Sequence, residues 1–225
     1  MTSPIFERCN RVSHEIYSRF FSSGTLVQEK QNPILGVNDA VFTSPRYRRA
    51  HLSVVDARET HNLWLLHTTV FPHVEDNSPI YGFDLIAGPK KVSGAFHDFS
   101  SAGNKNHYMM EWFNNRTANI DWNKKRELPE WAQKIFSDNM VAIGAVGEDE
   151  LDKFIDLGLD TLTYYLSNVG NTFNSETNYA DYQNYYCVNQ IQNPHTPRVL
   201  VNLGFTDQEA QDFVKETLFP FIDCK

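Results

Sequence analysis

Ile5, Cys9, Val12, Ile16 and Phe20 recur along one helical stripe, and Ser3 followed by Pro4 supplies a cap and a first-turn residue. A helix over Met1–Ser22 is therefore predicted. Thr25–Ala40, rich in Asn, Gly and Pro, leaves room for only a short strand at TLVQE. The pattern then changes to extended apolar runs broken by turn-type residues, at Arg49–Asp56, Leu63–Phe71, Tyr81–Ala87 and Gly94–Phe99. Their short connections predict antiparallel hairpins. Asn104–Glu127 reads as polar and irregular, Leu128–Phe136 as a short helix behind Pro129, and Asn139–Ile143 as a last strand. Helical periodicity returns over Glu148–Asn168, with Leu151, Ile155, Leu159, Leu162 and Leu166 on one face. Asn171–Cys187 is polar and tyrosine-rich without a clear period, and Thr206-x-x-Glu209 is a capping box opening a helix with Phe213, Val214 and Leu218. Helix, strand meander, then helices describe either an α+β domain or a three-layer α/β/α domain.

Two of the predicted strands carry groups that a sheet interior does not solvate. His67 stands in LWLLHTTVF and Asp84 in YGFDLIA. Burying either costs several kcal/mol unless something pairs with it. Strand parity puts His51 and Ser53 on one face of their strand, His67 with Leu65 and Thr69, and Asp84 with Gly82 and Ile86. Suitable register would gather His51, Ser53, His67 and Asp84 on one sheet face. A single buried histidine is ordinarily a satisfied core group; four polar residues on adjacent strands make a polar site an equal alternative.

Composition narrows the chemistry. At 225 residues the chain suits one domain, 1–225, and 41% hydrophobic residues are enough for a large core. No run approaches the roughly 20 apolar residues of a membrane span, and the N-terminus lacks the basic and apolar regions of a signal peptide. Cys9, Cys187 and Cys224 are widely spaced, which argues for a reducing compartment and against a disulfide scaffold or thiolate metal site. A cytoplasmic monomer is expected. The net charge of −8 disfavours nucleic acid as a partner. Positive charge nevertheless clusters at Arg46, Arg48 and Arg49, at Lys90 and Lys91, and at Lys124, Lys125 and Arg126. These are either solvated loop charges or a local patch suited to an acidic partner. Dinucleotide and P-loop glycine motifs, HExxH, paired CxxC and Gly-x-Ser-x-Gly are all missing from the sequence. That leaves acid–base work or the binding of a flat polar ligand, with no metal.

Several segments carry a resemblance: AHL (Ala50–Leu52), LLHTTVFP (Leu65–Pro72), GFDLIAGP (Gly82–Pro89), KVS (Lys91–Ser93), HDFS (His97–Ser100), RELPEWAQKIFS (Arg126–Ser137) and PRVL (Pro197–Leu200). In this order and spacing the chain resembles the ferredoxin-dependent bilin reductases, in the branch of the phycocyanobilin-forming enzymes and their virus-encoded relatives. The resemblance implies an α/β/α sandwich around an antiparallel sheet, with biliverdin IXα between the sheet and the C-terminal helices. It implies no metal, flavin or nicotinamide; reduced ferredoxin delivers electrons singly, so bilin radicals are intermediates, and the protein supplies protons. Asp84 matches the family's central aspartate, a proton donor whose pKa apolar surroundings would raise. His67 matches the histidine that shares or relays that proton. His51 matches a second histidine near the pigment, Arg126 an arginine that pairs with a bilin propionate, and Ser93 a propionate hydrogen-bond donor.

Two positions depart from the family pattern. Phycocyanobilin-forming members carry after His-Leu a glutamate credited with reducing the D-ring vinyl group; here Ser53 stands there. Many members also carry an aspartate just before the late basic stretch; here the segment is Asn193-Pro194-His195-Thr196-Pro197-Arg198, so His195 as donor or Asn193 as hydrogen-bonding group are the alternatives. The loss at Ser53 points to phycoerythrobilin, by reduction at the C15 methine bridge and then the A-ring diene. Phycocyanobilin is the second reading, a non-catalytic bilin carrier the third, and an enzyme for another small polar substrate the fourth. Ferredoxins are acidic, so Lys90, Lys91, Lys124 and Lys125 are candidate docking residues. If the chain is virus-encoded, its expected compartment is the host cytoplasm.

Overall fold

The computed structural model describes residues 3–32, 35–103 and 105–223; Met1, Thr2, Pro33, Ile34, Asn104, Cys224 and Lys225 lie outside them. Helix α1 (Pro4–Ser23) starts as its sequence dictates: the Ser3 hydroxyl accepts from the Ile5 N–H and Pro4 fills the first turn. Ile5, Cys9, Val12, Ile16 and Phe20 are all buried. Seven strands follow: β1 (Thr25–Asn32), β2 (Val37–Ser44), β3 (Tyr47–Ala57), β4 (Leu63–Pro72), β5 (Ile80–Ala87), β6 (Val92–Ser100) and β7 (Val141–Ile143). They form one sheet in sequence order, every pair antiparallel. A one-turn helix, α2 (Arg58–His61), joins β3 to β4 and ends at Asn62 in the left-handed region. The remaining helices are α3 (Tyr108–Thr117), α4 (Glu130–Gln133), α5 (Glu148–Asn168), α6 (Ala180–Gln190), α7 (His195–Asn202) and α8 (Asp207–Asp212), the last running into a π-helical turn, Phe213–Leu218. Among the described residues no helix is long and apolar enough to cross a membrane.

The sheet divides the core into two. Phe42, Leu52, Trp64, Leu66, Tyr81, Phe83 and Phe99 point to one face and pack with α1, α3 and α5. α5 approaches the sheet closely at Gly158, where an added methyl group would clash with the edge of the Phe83 ring. On the other face Phe71 and Ile80 meet Tyr186, Leu200, Val214 and Phe219, while Val37 and Val55 meet Leu203. The architecture is thus a three-layer α/β/α sandwich around an antiparallel sheet.

Three elements depart from the sequence reading. β2 occupies ground read as loop: Asn38 and Asp39 break its alternation, yet Val37, Ala40, Val41 and Phe42 are buried. α3 lies in the stretch read as irregular, capped by the His107 ring, which accepts from the Met109 N–H, and burying Met109, Met110 and Phe113. α6 lies in the polar, tyrosine-rich stretch; its inner face is built from Gln183, Asn189 and Gln190 as well as Tyr186 and Cys187, so no apolar period marks it.

Candidate functional site

Register gathers the polar strand residues as parity suggested. Asp84 on β5 stands opposite His67 on β4, His67 opposite Ser53 on β3, and Ser53 opposite Asp39 on β2. A neighbouring row runs Val41, His51, Thr69, Gly82, Asp98. Both rows face the layer of α6–α8.

Nδ1 of His67 lies 2.6 Å from Oδ1 of Asp84, so the two groups hold one proton between them. Asp84 is paired with His67, as the resemblance implied, but its surroundings are less apolar than expected: about a third of its side chain (35%) is exposed. The edge of the Phe219 ring meets the His67 ring, with centroids 5.3 Å apart, and Tyr186 packs beside Phe219. His51 is fully buried. Its Nε2 lies 3.2 Å from Oδ1 of Asp39, and burial pushes its pKa down to about 4, with Asp39 opposing and Arg49 adding to that shift. The imidazole is therefore neutral at pH 7. The His51 and His67 rings meet edgewise at 6.2 Å, and His51 Nδ1 and His67 Nε2 are buried with no hydrogen-bond partner among the described residues.

A carboxyl that burial raises lies one row away. Asp98 is pushed up to about 6, restrained by hydrogen bonds from Ser100 and from the Ser137 hydroxyl and backbone N–H. His97, one residue earlier, faces the opposite layer, held between the Gly82 carbonyl and the Thr161 hydroxyl at 2.7 Å each. It is a core histidine.

The basic clusters separate. Arg48 and Arg49 belong to β3 and are largely buried, not solvated loop charges. Nε of Arg48 donates to Gln183 Oε1 at 2.6 Å above the Phe71 ring, and Nη2 of Arg49 donates to the Thr217 carbonyl at 2.6 Å. Burial lowers both to about 10. Arg46 donates to the Ser167 and Val169 carbonyls at the end of α5. Ser93 is the additional residue of a β-bulge where Ile86 pairs with Gly94 and Ala87 with Val92, and its hydroxyl donates to the Ile86 carbonyl at 3.0 Å. Arg126 donates through Nη2 to the Ser93 carbonyl at 2.8 Å and lies over Phe96, the residue opposite Asp84. These two predicted residues are thus neighbours at the rim of the same face. Lys90 and Lys91 sit in the β5–β6 turn. Lys124 and Lys125 lie on the strap that bonds to Ile143 and Gly144, and all four are exposed.

Asn193 and His195 lie at the start of α7. The Asn193 carboxamide accepts from the His195 N–H at 3.0 Å and donates to the Thr196 hydroxyl at 3.3 Å, while His195 is exposed. Asn193 also borders a cleft of about 560 Å³ lined by Gln192, Arg198, Asp207 and Gln211. Sequence reading did not single out Asp39, Gln183, Tyr186 or Phe219. The residue pattern carried no signal for Asp39, because its strand was not recognised. Among the described residues no group of three or more His, Cys, Asp or Glu side chains is placed to hold a metal ion.

Known proteins match this chain along most of its length. The model of the family described as ferredoxin-dependent bilin reductase matches residues 20–220. A phycocyanobilin:ferredoxin oxidoreductase of Prochlorococcus marinus is 30% identical over 183 residues, 77% of this chain and 71% of that protein. One of a Synechococcus species is 30% identical over 198 residues, 82% of this chain and 76% of that protein. A solved structure titled PcyX is 31% identical and superposes with a TM-score of 0.70, covering 95% of this chain and 99% of its own. Phytochromobilin synthase from tomato, in complex with biliverdin, shares the fold at a TM-score of 0.74 and 13% identity, covering 93% of this chain and 82% of its own. With the sheet, its flanking layers and the family match in agreement, the chain belongs to the ferredoxin-dependent bilin reductases, oxidoreductases that take their electrons from ferredoxin.

Proposed function

We propose that this reductase acts on biliverdin IXα and forms phycoerythrobilin. The observation that carries the reading is the His67–Asp84 pair, 2.6 Å apart, in the middle of the sheet face covered by the C-terminal helices. A carboxyl and an imidazole sharing a proton suit general acid catalysis to an electron-rich carbon or nitrogen. Asp84 is the donor and His67 the group that returns the proton to it. Four electrons and four protons convert biliverdin to the product: two of each at the C15 bridge, two of each at the A-ring diene. Ferredoxin supplies the electrons, and no group of the protein changes oxidation state.

Arg126 and Ser93 bind one propionate at the rim, where a guanidinium offers two parallel donors. His51 and Ser53 border the rings of the pigment, and Asn193 or His195 approaches it from α7.

Ser53 is the reason for choosing phycoerythrobilin, because a hydroxyl is no acid near neutrality. Phycocyanobilin is the second reading, favoured by the names of the curated relatives. Anaerobic turnover of biliverdin with reduced ferredoxin, followed by HPLC of the pigments, separates them. Phycoerythrobilin is the expected product. A dominant phycocyanobilin peak overturns the Ser53 argument, and no spectral change with reduced ferredoxin reduces the protein to a bilin carrier.

A further inference from the structure

β3 begins with a bulge: Tyr47 pairs with Pro72 and Arg49 with Phe71, so Arg48 is the additional residue. Tyr47 packs into the layer of α1, whereas Arg48 and Arg49 both turn to the layer of α6–α8. Two consecutive guanidiniums are thus enclosed on one face, close enough that Arg48 helps to lower the pKa of Arg49. Each keeps one buried nitrogen without a hydrogen-bond partner among the described residues, Nη2 of Arg48 and Nη1 of Arg49. The buried Thr69 hydroxyl, on the same face, is unpartnered as well. Their charge is also unbalanced. Among the described residues no carboxylate forms an ion pair with either guanidinium. The groups that would oppose their charge are Cys187, Tyr165 and Asp39. Burial pushes the Cys187 thiol up to about 12 and the Tyr165 phenol well above its ordinary value, so both are neutral at pH 7. Asp39, the one carboxyl, is engaged by His51. Both arginines, at about 10, stay charged, and two cations face at most one anion.

We propose that Arg48 and Arg49 form a binding site for a small monovalent anion, of the size and charge of chloride, between β3, α6 and the π-helical turn. Arginine offers donors only, so an acceptor satisfies the two free nitrogens and a cation does not. Water would accept their hydrogen bonds but leave the charge, and enclosed like charges without a counter-ion are costly. A monoanion answers both. A larger oxyanion such as phosphate brings a second charge and more acceptor atoms than the three free donors of this face. The site is distinct from the Arg126 and Ser93 rim. Arg49 stands opposite Phe71 on β4, whereas Ser93 bonds Ile86, the partner of Leu65, six residues and about 20 Å away along the strand. A bound anion joins β3 to α6 and to the turn that leads to Phe219, the elements that wall the site around His67.

The test compares unfolding midpoints of the pigment-free protein in sodium chloride and in sodium gluconate, a bulky anion, at equal ionic strength. Chloride should raise the midpoint saturably, as a ligand of the folded state does, and gluconate should not. Arg48→Met keeps an apolar stem over Phe71 and removes one charge; the same rise should then need at least tenfold more chloride. Bromide, located by anomalous scattering in crystals of the wild type, should lie against Arg48 and Arg49. Equal midpoints in the two salts overturn the proposal, and so does a chloride effect that Arg48→Met leaves intact. If that variant does not fold, the bromide position decides: a peak at the arginine pair upholds the site, and bromide at exposed lysines alone, an adventitious ion only, overturns it. No arm uses the pigment. Failure here leaves the proposed bilin chemistry standing, and failure of biliverdin turnover leaves the anion site standing.

Discussion

Asp84 and Asp98 sit on the same sheet face in different electrostatic settings. Asp84 is hydrogen-bonded to the His67 imidazole and keeps a third of its side chain exposed, whereas Asp98 is enclosed and held by serine donors. Enclosure raises Asp98 from 3.8 to about 6, so the folded state holds its proton more tightly than the unfolded state. The stability this group contributes is present below pH 4 and is lost as pH rises through 6, a change of about 3 kcal/mol. Asp98→Asn removes the titration. Urea midpoints of the two proteins should therefore diverge in favour of the variant between pH 4.5 and 7. A difference that stays constant over that range would show that Asp98 does not titrate there. His51 and His67 were legible as candidates from the sequence because each interrupts an apolar strand. Asp39 was not, because Asn38 and Asp39 disguise β2 as a loop.

At the scale of elements, what the sequence revealed depended on how each segment solves its burial. α1 and α5 bury regular apolar stripes, and α8 carries a capping box whose two bonds are both formed, so their positions were readable. β3 to β6 were readable for the same reason. α6 covers the site with amides and a tyrosine: Gln183 bonds Arg48 and the Pro72 carbonyl, and Gln190 donates to the Tyr186 hydroxyl at 2.7 Å. A polar inner face leaves no hydrophobic period, and only the tertiary contacts explain it. Arg48 and Arg49 misled for the converse reason: charge reads as solvent exposure until the Gln183 amide is found against one guanidinium and the Thr217 carbonyl against the other. The layer opposite the site is set by close approach. Gly158→Ala would drive a methyl into Phe83 and should destabilise the fold by about 1–3 kcal/mol, measured by thermal or urea unfolding. A stability equal to wild type would mean that α5 is free to shift away from the sheet.

Over the whole molecule, an acidic chain of net charge −8 must receive an electron from ferredoxin. Lys90, Lys91, Lys124 and Lys125 collect near the β5–β6 turn, close to the Arg126 and Ser93 rim. We propose this end as the docking face. Such contacts are charge-guided and screened by salt. Replacing the four lysines with glutamine should raise the KM for ferredoxin several-fold and flatten its dependence on ionic strength, while biliverdin affinity stays the same. An unaltered salt dependence would move the docking face elsewhere.

The decisive measurement is a single anaerobic reaction of Asp84→Asn with biliverdin and reduced ferredoxin, followed by absorbance and electron paramagnetic resonance. The variant should bind the pigment with a wild-type affinity, accept an electron, and accumulate a bilin radical without yielding a phycobilin. Phycobilin formed at the wild-type rate would contradict the role of Asp84 as the proton donor.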